Sequence, residues 1–169
     1  KKYKVDLTKP LLIILQHTVT SEIKSVQNNI INTINAIKES NHQSIMIYGN
    51  ADAGSQKIIK IIKNSNIKQY QTIPYQDYIN LLKHASILIG NSSSGIIEAP
   101  FLHISSINIG TRQEGRLRSD SIIDVPYDKS RIKKAIKKAI EDVNFRKKVK
   151  FCKNMNGDGN YSKKIIKIS

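Results

Sequence analysis

The sequence has few of the residues that several protein classes require. It contains a single cysteine, Cys152, which excludes an internal disulfide. The protein therefore does not need an oxidising compartment, and a reducing one such as the cytosol fits it. No apolar run approaches the length of a membrane-spanning helix, and no signal peptide is visible at the start. These features favour a cytoplasmic protein that does not enter the membrane. Because the chain begins at Lys1, we interpret it as a piece of a longer or processed chain.

Candidate metal ligands and nucleophiles are also scarce. His42, His84 and His103 show no metal-ligand spacing with one another or with acidic residues, so the sequence predicts no metal site. No nucleophile motif surrounds Cys152, and we assign it no catalytic role.

Acidic residues are outnumbered, with 13 Asp and Glu against 28 Lys and Arg and a formal net charge of +15. A nucleic-acid surface is one interpretation of this excess. However, much of it lies in residues 129–150, where apolar residues recur at helical spacing: Ile132, Ala135, Ile136, Ala139 and Ile140. Most of the seven Tyr and three Phe lie outside the basic runs, whereas a stacking platform requires aromatic residues interleaved with basic ones. We therefore expect one lysine-coated amphipathic helix packed on a sheet, and no nucleic-acid partner.

The chain alternates short apolar runs with amphipathic stretches, and 169 residues suit one domain. This alternation predicts an α/β fold with a Rossmann-like, doubly wound parallel sheet. We expect residues 1–10 to be a linker from an amino-terminal domain and residues 11–169 to form the domain with its closing helices. The expected strands are 11–15, 44–48, 67–73, 87–89, 104–109 and 121–125. The expected helices are 23–38, 55–64, 76–84, one from Ile96 that Pro100 ends or kinks, 129–150, and one from about Ser162 after a turn at 157–159.

The stretch 87–100 carries the strongest site signal. A buried strand over 87–89 is followed by a small polar loop and then by the start of a helix. Unpaired backbone N–H groups at a helix start favour an anion, and the hydroxyls of Ser92 and Ser93 suit a phosphate. Gly95 offers no side chain that would obstruct its approach. Glu98 could accept two hydrogen bonds from a vicinal diol such as a ribose, so the stretch suggests a nucleotide site.

The alternative for this stretch is a capped helix with Glu98 as a solvated surface acid, because short serine-rich turns are common. Polar residues at other strand ends favour the site, since ligands of such sheets bind at the carboxyl ends of the strands. His17 follows the first strand and could donate to a phosphate or act as an acid or base. Asn50 follows the second strand, and Arg112 could contact phosphate with two prongs. Each also has a simpler interpretation: a histidine bonded to a backbone carbonyl, a turn asparagine and a surface arginine.

Four motifs together resemble the carboxyl-terminal half of a hydrolysing UDP-N-acetylglucosamine 2-epimerase of the sialic-acid pathway. They are Gln-His-Thr-Val-Thr at 16–20, Asn-Ala-Asp-Ala-Gly-Ser at 50–55, Ile-Gly-Asn-Ser-Ser-Ser-Gly-Ile-Ile-Glu at 89–98 and Gly-Thr-Arg-Gln-Glu-Gly-Arg at 110–116. Gly-Asp-Gly-Asn at 157–160 resembles the family's turn before its closing helix. The resemblance implies the second Rossmann-like domain of a GT-B two-domain enzyme.

The resemblance also implies a reaction. UDP leaves UDP-N-acetylglucosamine, or a diacetamido relative, by anti elimination to a glycal, and water then adds to give the free 2-epimer. It implies a catalytic role for His17. It also implies that seven further residues bind UDP: Asn50, Ile73 (through its backbone, at the nucleotide base), Ser92, Ser93, Gly95, Glu98 and Arg112. It implies a UDP-sugar partner, no cofactor and a homodimer in the full-length enzyme.

The sequence departs from the family pattern in two ways. The amino-terminal domain and its expected acid and base carboxylates are missing, so we expect this chain alone to bind weakly and not to turn over. Gln56 stands where animal members place a lysine of their inhibitor site, so no such regulation is carried over. Two alternatives stay open: the nucleotide-sugar domain of a GT-B glycosyltransferase, and a basic nucleic-acid-binding module.

Overall fold

The computed structural model describes residues 2–19, 25–48, 55–153 and 155. The predicted start of the first helix, the loop with Asn50, the turn at 157–159 and the final helix lie outside these residues. No helix among the described residues is long and apolar enough to cross a membrane.

Six parallel strands form one sheet in the order β3-β2-β1-β4-β5-β6. The strands are β1 Leu11–Leu15, β2 Gln43–Ile47, β3 Lys68–Tyr70, β4 Ile87–Gly90, β5 Ser105–Ile109 and β6 Ile122–Val125. The order turns back between β1 and β4, which is the topology of a Rossmann-like doubly wound sheet. The fold predicted from the sequence is therefore confirmed, although β3 is shorter than the expected 67–73.

The central strands are apolar because helices cover both faces of the sheet. Leu12 and Ile14 point into one core cluster with α1, α2 and α5, whereas Leu11 and Ile13 point into a second cluster with α3 and α4. The helices are α1 Val26–Glu39, α2 Ser55–Lys63, α3 Tyr75–Lys83, α4 Glu98–Phe101, α5 Lys129–Glu141 and α6 Val143–Lys150.

The single basic helix expected over 129–150 was wrong, because the chain forms α5 and α6 with a break at Asp142. The Asp142 carboxylate accepts from the Phe145 backbone N–H at 2.9 Å, which caps the start of α6. The expected apolar stripe is confirmed: Ile132 and its helical neighbours are buried against α1, β5 and β6, while Ile140 is half-buried.

The helix expected from Ile96 is present, but it starts two residues later. A 3₁₀ turn at Ser93–Gly95 comes first, and α4 begins only at Glu98. Pro100 lies inside the first turn of α4, where its missing N–H removes no helical hydrogen bond.

Residues 2–10 form turns and irregular structure that packs on the sheet edge. The Tyr3 hydroxyl donates to Asp77 at 2.6 Å, and the Tyr3 ring meets Tyr70 edge-on at 5.2 Å. The Gln43 side chain donates to the Asp6 carbonyl at 2.5 Å. The segment predicted as a linker is thus hydrogen-bonded to the domain.

Candidate functional site

The candidate site lies where the sheet topology reverses, at the carboxyl ends of β1 and β4. Leu15 pairs with Gly90 at the last position of these two neighbouring strands. The chain after β1 leads to α1 on one face of the sheet, and the chain after β4 leads to α4 on the other. The two loops therefore diverge and leave a crevice, which is the usual ligand position in such sheets.

Asn91, directly after β4, joins three of the surrounding loops. Its side chain is fully buried, and its Oδ1 accepts from the His17 backbone N–H at 2.7 Å. Its Nδ2 donates to the His17 carbonyl at 2.9 Å and lies 3.2 Å from the Tyr127 hydroxyl. Asn91 thereby satisfies both backbone groups of His17 and fixes the position from which the imidazole extends.

The basic loop after β5 also meets Asn91. The Arg112 guanidinium donates to the Asn91 carbonyl through Nη1 at 3.0 Å, and the Gln113 amide donates to the same oxygen at 2.8 Å. Gln113 is only 2% exposed, whereas Arg112 is exposed. Gln113 is therefore a buried support, and Arg112 can turn its remaining N–H groups to an anion.

The serines of the β4 loop divide into supporting and accessible groups. The Ser92 hydroxyl accepts from the Ser94 backbone N–H at 3.3 Å and caps the 3₁₀ turn. The Ser94 hydroxyl is hydrogen-bonded to the Tyr78 hydroxyl. Ser93 is half-buried at the start of the turn. Because a three-residue turn adds up few peptide dipoles, an anion here depends mainly on hydroxyl and backbone N–H groups rather than on a helix dipole.

Tyr78 and Glu98 form the other wall of this loop. Burial, together with a smaller effect of the nearby Glu98 charge, raises the pKa of Tyr78 to about 12, so the phenol is neutral at physiological pH. Glu98 is half-buried, and among the described residues its buried Oε2 has no hydrogen-bond partner. A buried carboxylate oxygen without a donor is costly, so Glu98 favours a ligand that supplies O–H or N–H groups.

Two glycines bring the loop into place. Gly90 has a φ of +138°, and a Cβ there would lie 2.2 Å from the Leu15 carbonyl oxygen. A Cβ on Gly95 would lie 2.6 Å from the Ser106 hydroxyl of β5. Packing against neighbouring strands therefore accounts for both glycines, and Gly95 needs no ligand to explain it.

The structure brings some of the predicted site residues together and leaves others apart. His17 and Arg112 meet through Asn91, and Ser92, Ser93 and Glu98 follow on the same loop and the next helix. Ile73 lies in the loop after β3, half-buried against the second core cluster. Asn50 lies outside the described residues.

Three supporting residues of the site were not predicted from the sequence: Asn91, Gln113 and Tyr78. Their partners are 16 to 74 residues away in the chain, so no local pattern indicates them. Among the described residues, no group of three or more His, Cys, Asp or Glu side chains could hold a metal ion.

Curated relatives match much of the chain. A polysialic acid biosynthesis protein P7 of Escherichia coli is 38% identical over 137 residues, which cover 78% of this chain and 35% of that protein. A hydrolysing UDP-N,N'-diacetylbacillosamine 2-epimerase of Legionella pneumophila is 28% identical and covers 99% of this chain and 44% of its own length. The chain thus spans less than half of these relatives.

Solved structures share the fold at low sequence identity. The UDP-GlcNAc 2-epimerase of Neisseria meningitidis, solved with UDP-GlcNAc bound, superposes with a TM-score of 0.79 at 17% identity, over 97% of this chain and 45% of that one. This neighbour supports a Rossmann-like domain of the GT-B type. The family model for UDP-N-acetylglucosamine 2-epimerase matches residues 1–169. The chain therefore belongs to the UDP-N-acetylglucosamine 2-epimerase family.

Proposed function

We propose that this chain is the carboxyl-terminal, UDP-binding domain of a hydrolysing UDP-N-acetylglucosamine 2-epimerase. The enzyme would convert a UDP-2-acetamido sugar and water into UDP and the free 2-epimer, for sialic or another nonulosonic acid. The carboxyl-terminal placement rests on the order of the motifs along the chain.

The observation that carries the proposal is the buried, unpartnered oxygen of Glu98 beside the serine turn. A ribose offers two adjacent hydroxyl groups, and these can donate to the carboxylate oxygens of Glu98. The exposed Arg112 guanidinium and the Ser93 hydroxyl lie on neighbouring loops, where a diphosphate would continue from the ribose. A nucleoside diphosphate fits this sequence of groups better than a single phosphate does.

The geometry suggests how these residues would aid the reaction. In the elimination, a base removes the proton from sugar C2, the bond between C1 and the diphosphate oxygen breaks, and UDP leaves with that electron pair. Arg112 and the serine turn would stabilise the charge that develops on the departing diphosphate. His17, held at its backbone by Asn91, could donate a hydrogen bond or a proton to the same oxygen. The base that acts at C2 is expected in the other half of the enzyme.

The names of the relatives leave two sugar classes for this site. The Legionella relative and a 36% identical Campylobacter jejuni relative are named for diacetylbacillosamine, and a 36% identical Neisseria relative is named for N-acetylglucosamine. We propose a UDP-linked 2-acetamido sugar as the shared substrate class.

Product analysis with the full-length protein tests this function. With a UDP-2-acetamido sugar and no acceptor, we expect equal amounts of UDP and the free 2-epimer. A glycosyltransferase would release little UDP without an acceptor, and that result would contradict the epimerase assignment.

A double variant tests the site. Ser93→Ala with Arg112→Ala should raise KM and lower kcat by about tenfold or more each, because contacts to ground-state and developing charge are both lost. Arg131→Ala, which removes an exposed arginine from the start of α5, is the control and should leave both constants unchanged. Unchanged kinetics in the double variant would contradict the assignment of the diphosphate to this loop.

A further inference from the structure

A cavity opens at the end of the strands opposite to the candidate UDP site. It is lined by Pro10 before β1, Ala85 and Ser86 before β4, and Ile104 and Ser105 at the start of β5. Since all six strands are parallel, these positions mark the amino ends of the strands. The candidate UDP site lies at the carboxyl ends, so the two sites are separated by the length of the sheet.

The size and floor of this cavity suit a small molecule. Its volume is about 600 Å³, within the range of small-ligand sites. Apolar side chains from the strand starts and from α5 and α6 form most of the lining, among them Ala85, Ile104, Ala139, Ile140 and Val149. Val143, at the start of α6, is 61% exposed at the same cavity. An apolar body placed here would cover this exposed surface.

The rim of the cavity carries positive charge. Arg146, Lys147 and Lys150 line it from α6, and none of the lining residues is Asp or Glu. Among the described residues, none of these three cations forms an ion pair; the paired cations are Lys2, Lys9, Arg118, Lys129, Lys133 and Lys137.

A neighbouring pocket of the same domain shows the contrast. Between the end of α1 and α5, Glu39 pairs with Lys129 at 2.9 Å and with Lys133 at 3.1 Å. Basic residues in the last turn of α6 are favourable to its dipole, which accounts for their presence. The dipole does not account for their gathering with Arg146 around an apolar cavity. An anionic group would relieve the repulsion between these cations.

We propose that this cavity binds a small amphipathic anion, a phosphate or carboxylate carried on an apolar body. The apolar part would occupy the floor between the strand starts and α5. The anionic part would face Arg146, Lys147 and Lys150. This site is independent of the proposed UDP site and of the activity assigned to it.

Binding of 1-naphthyl phosphate to the full-length protein tests the proposal. Binding can be followed through the change in the naphthyl fluorescence of the probe. We expect saturable binding that is at least about tenfold tighter than that of 1-naphthol or of inorganic phosphate, since each lacks one of the two recognised parts. Excess UDP should not displace the probe, because the two sites lie at opposite ends of the strands. Absence of saturable binding, or full displacement by UDP, would overturn the proposal.

Variants on α6 locate the binding. Lys147→Ala should weaken binding by about fivefold or more, whereas the adjacent Lys148→Ala, which does not line the cavity, should leave it unchanged. Val143→Glu should weaken binding by about tenfold or more through repulsion, while an acid at the first position of α6 suits the helix dipole and preserves the fold. Equal losses in Lys147→Ala and Lys148→Ala would assign the binding to general charge attraction and overturn the proposal.

Discussion

At the scale of single residues, Asn91 has the most consequential contacts of the site. It holds both backbone groups of His17 and approaches the Tyr127 hydroxyl. Asn91→Ala in the full-length enzyme should lower kcat by about a hundredfold with a smaller change in KM, because displacement of a catalytic group by about 1 Å has this order of effect. Steady-state kinetics measure the split between the two constants.

The buried Asn108 offers a control for this prediction. Its side chain donates to Asp124 at 2.6 Å, and among the described residues no side-chain hydrogen bond joins it to His17 or the β4 loop. Asn108→Ala should lower the free energy of unfolding and leave kcat close to wild type. If both variants lose kcat equally, Asn91 acts only through stability.

Tyr78 gives the site a signature at alkaline pH. Its pKa is about 12 in the folded domain against an ordinary value of 10.0, so the folded state keeps a proton that the unfolded state releases between these values. The stability that depends on this proton is complete below about pH 10 and is lost as pH rises towards 12. The Tyr78→Phe variant should show a shallower fall of unfolding free energy over that window, measured by denaturant titration at each pH.

The matched control is Tyr75→Phe, which removes the hydroxyl group of a tyrosine that is 69% exposed at the start of α3. It should retain most of the wild-type slope, because the Tyr75 charge is the smallest of the contributions to the raised pKa of Tyr78. A Tyr78→Phe variant with that same slope would mean that the phenol does not hold its proton more tightly when folded.

At the scale of elements, the junction of β4 with its loop depends on Gly90. An alanine there would combine a φ of +138° with a Cβ 2.2 Å from the Leu15 carbonyl, and backbone must move to relieve the contact. Gly90→Ala should cost roughly 3 to 5 kcal/mol of unfolding free energy, the sum of backbone strain and overpacking. Gly115→Ala shares a positive φ of +78° but meets nothing within 4 Å, so it should cost only about 1 to 2 kcal/mol. Denaturant midpoints at unchanged m would test the difference, and equal costs would contradict the importance of the β1 contact.

At the scale of the whole molecule, the charge of +15 and the proposed nucleotide site make different predictions for ligand binding. When this chain is titrated with UDP and monitored by amide NMR, we expect saturable chemical-shift changes centred on Ile73, residues 92–98 and Arg112. Single-stranded DNA, the control, should give shifts spread over the lysine-rich surface that disappear as salt increases. Shifts at the site with DNA and none with UDP would favour the nucleic-acid alternative.

Residue patterns in the sequence were sufficient to predict the six strands and most of the helices in their order. Runs such as 11–15 and 87–89 are too apolar for any position but a covered strand, and the helical spacing of Ile132 to Ala139 placed one face of α5 on the core. These patterns are local, because each side chain is classified by its near neighbours in the chain. Strand ends of a parallel sheet share one edge, so the sequence also indicated where His17, the serines and Arg112 would gather.

How these loops support one another depends on contacts between residues far apart in the chain. Asn91 contacts His17 across 74 residues and the loop of Arg112 and Gln113 across about 20, and such pairs leave no periodic trace in the sequence. The break at Asp142 and the 3₁₀ turn before Glu98 were likewise settled by capping and by packing on β5 rather than by propensity. The cavity over the amino ends of the strands exists because separate strand starts and two helices meet there. The cations at its rim belong to one helix, but what they face is a property of the fold.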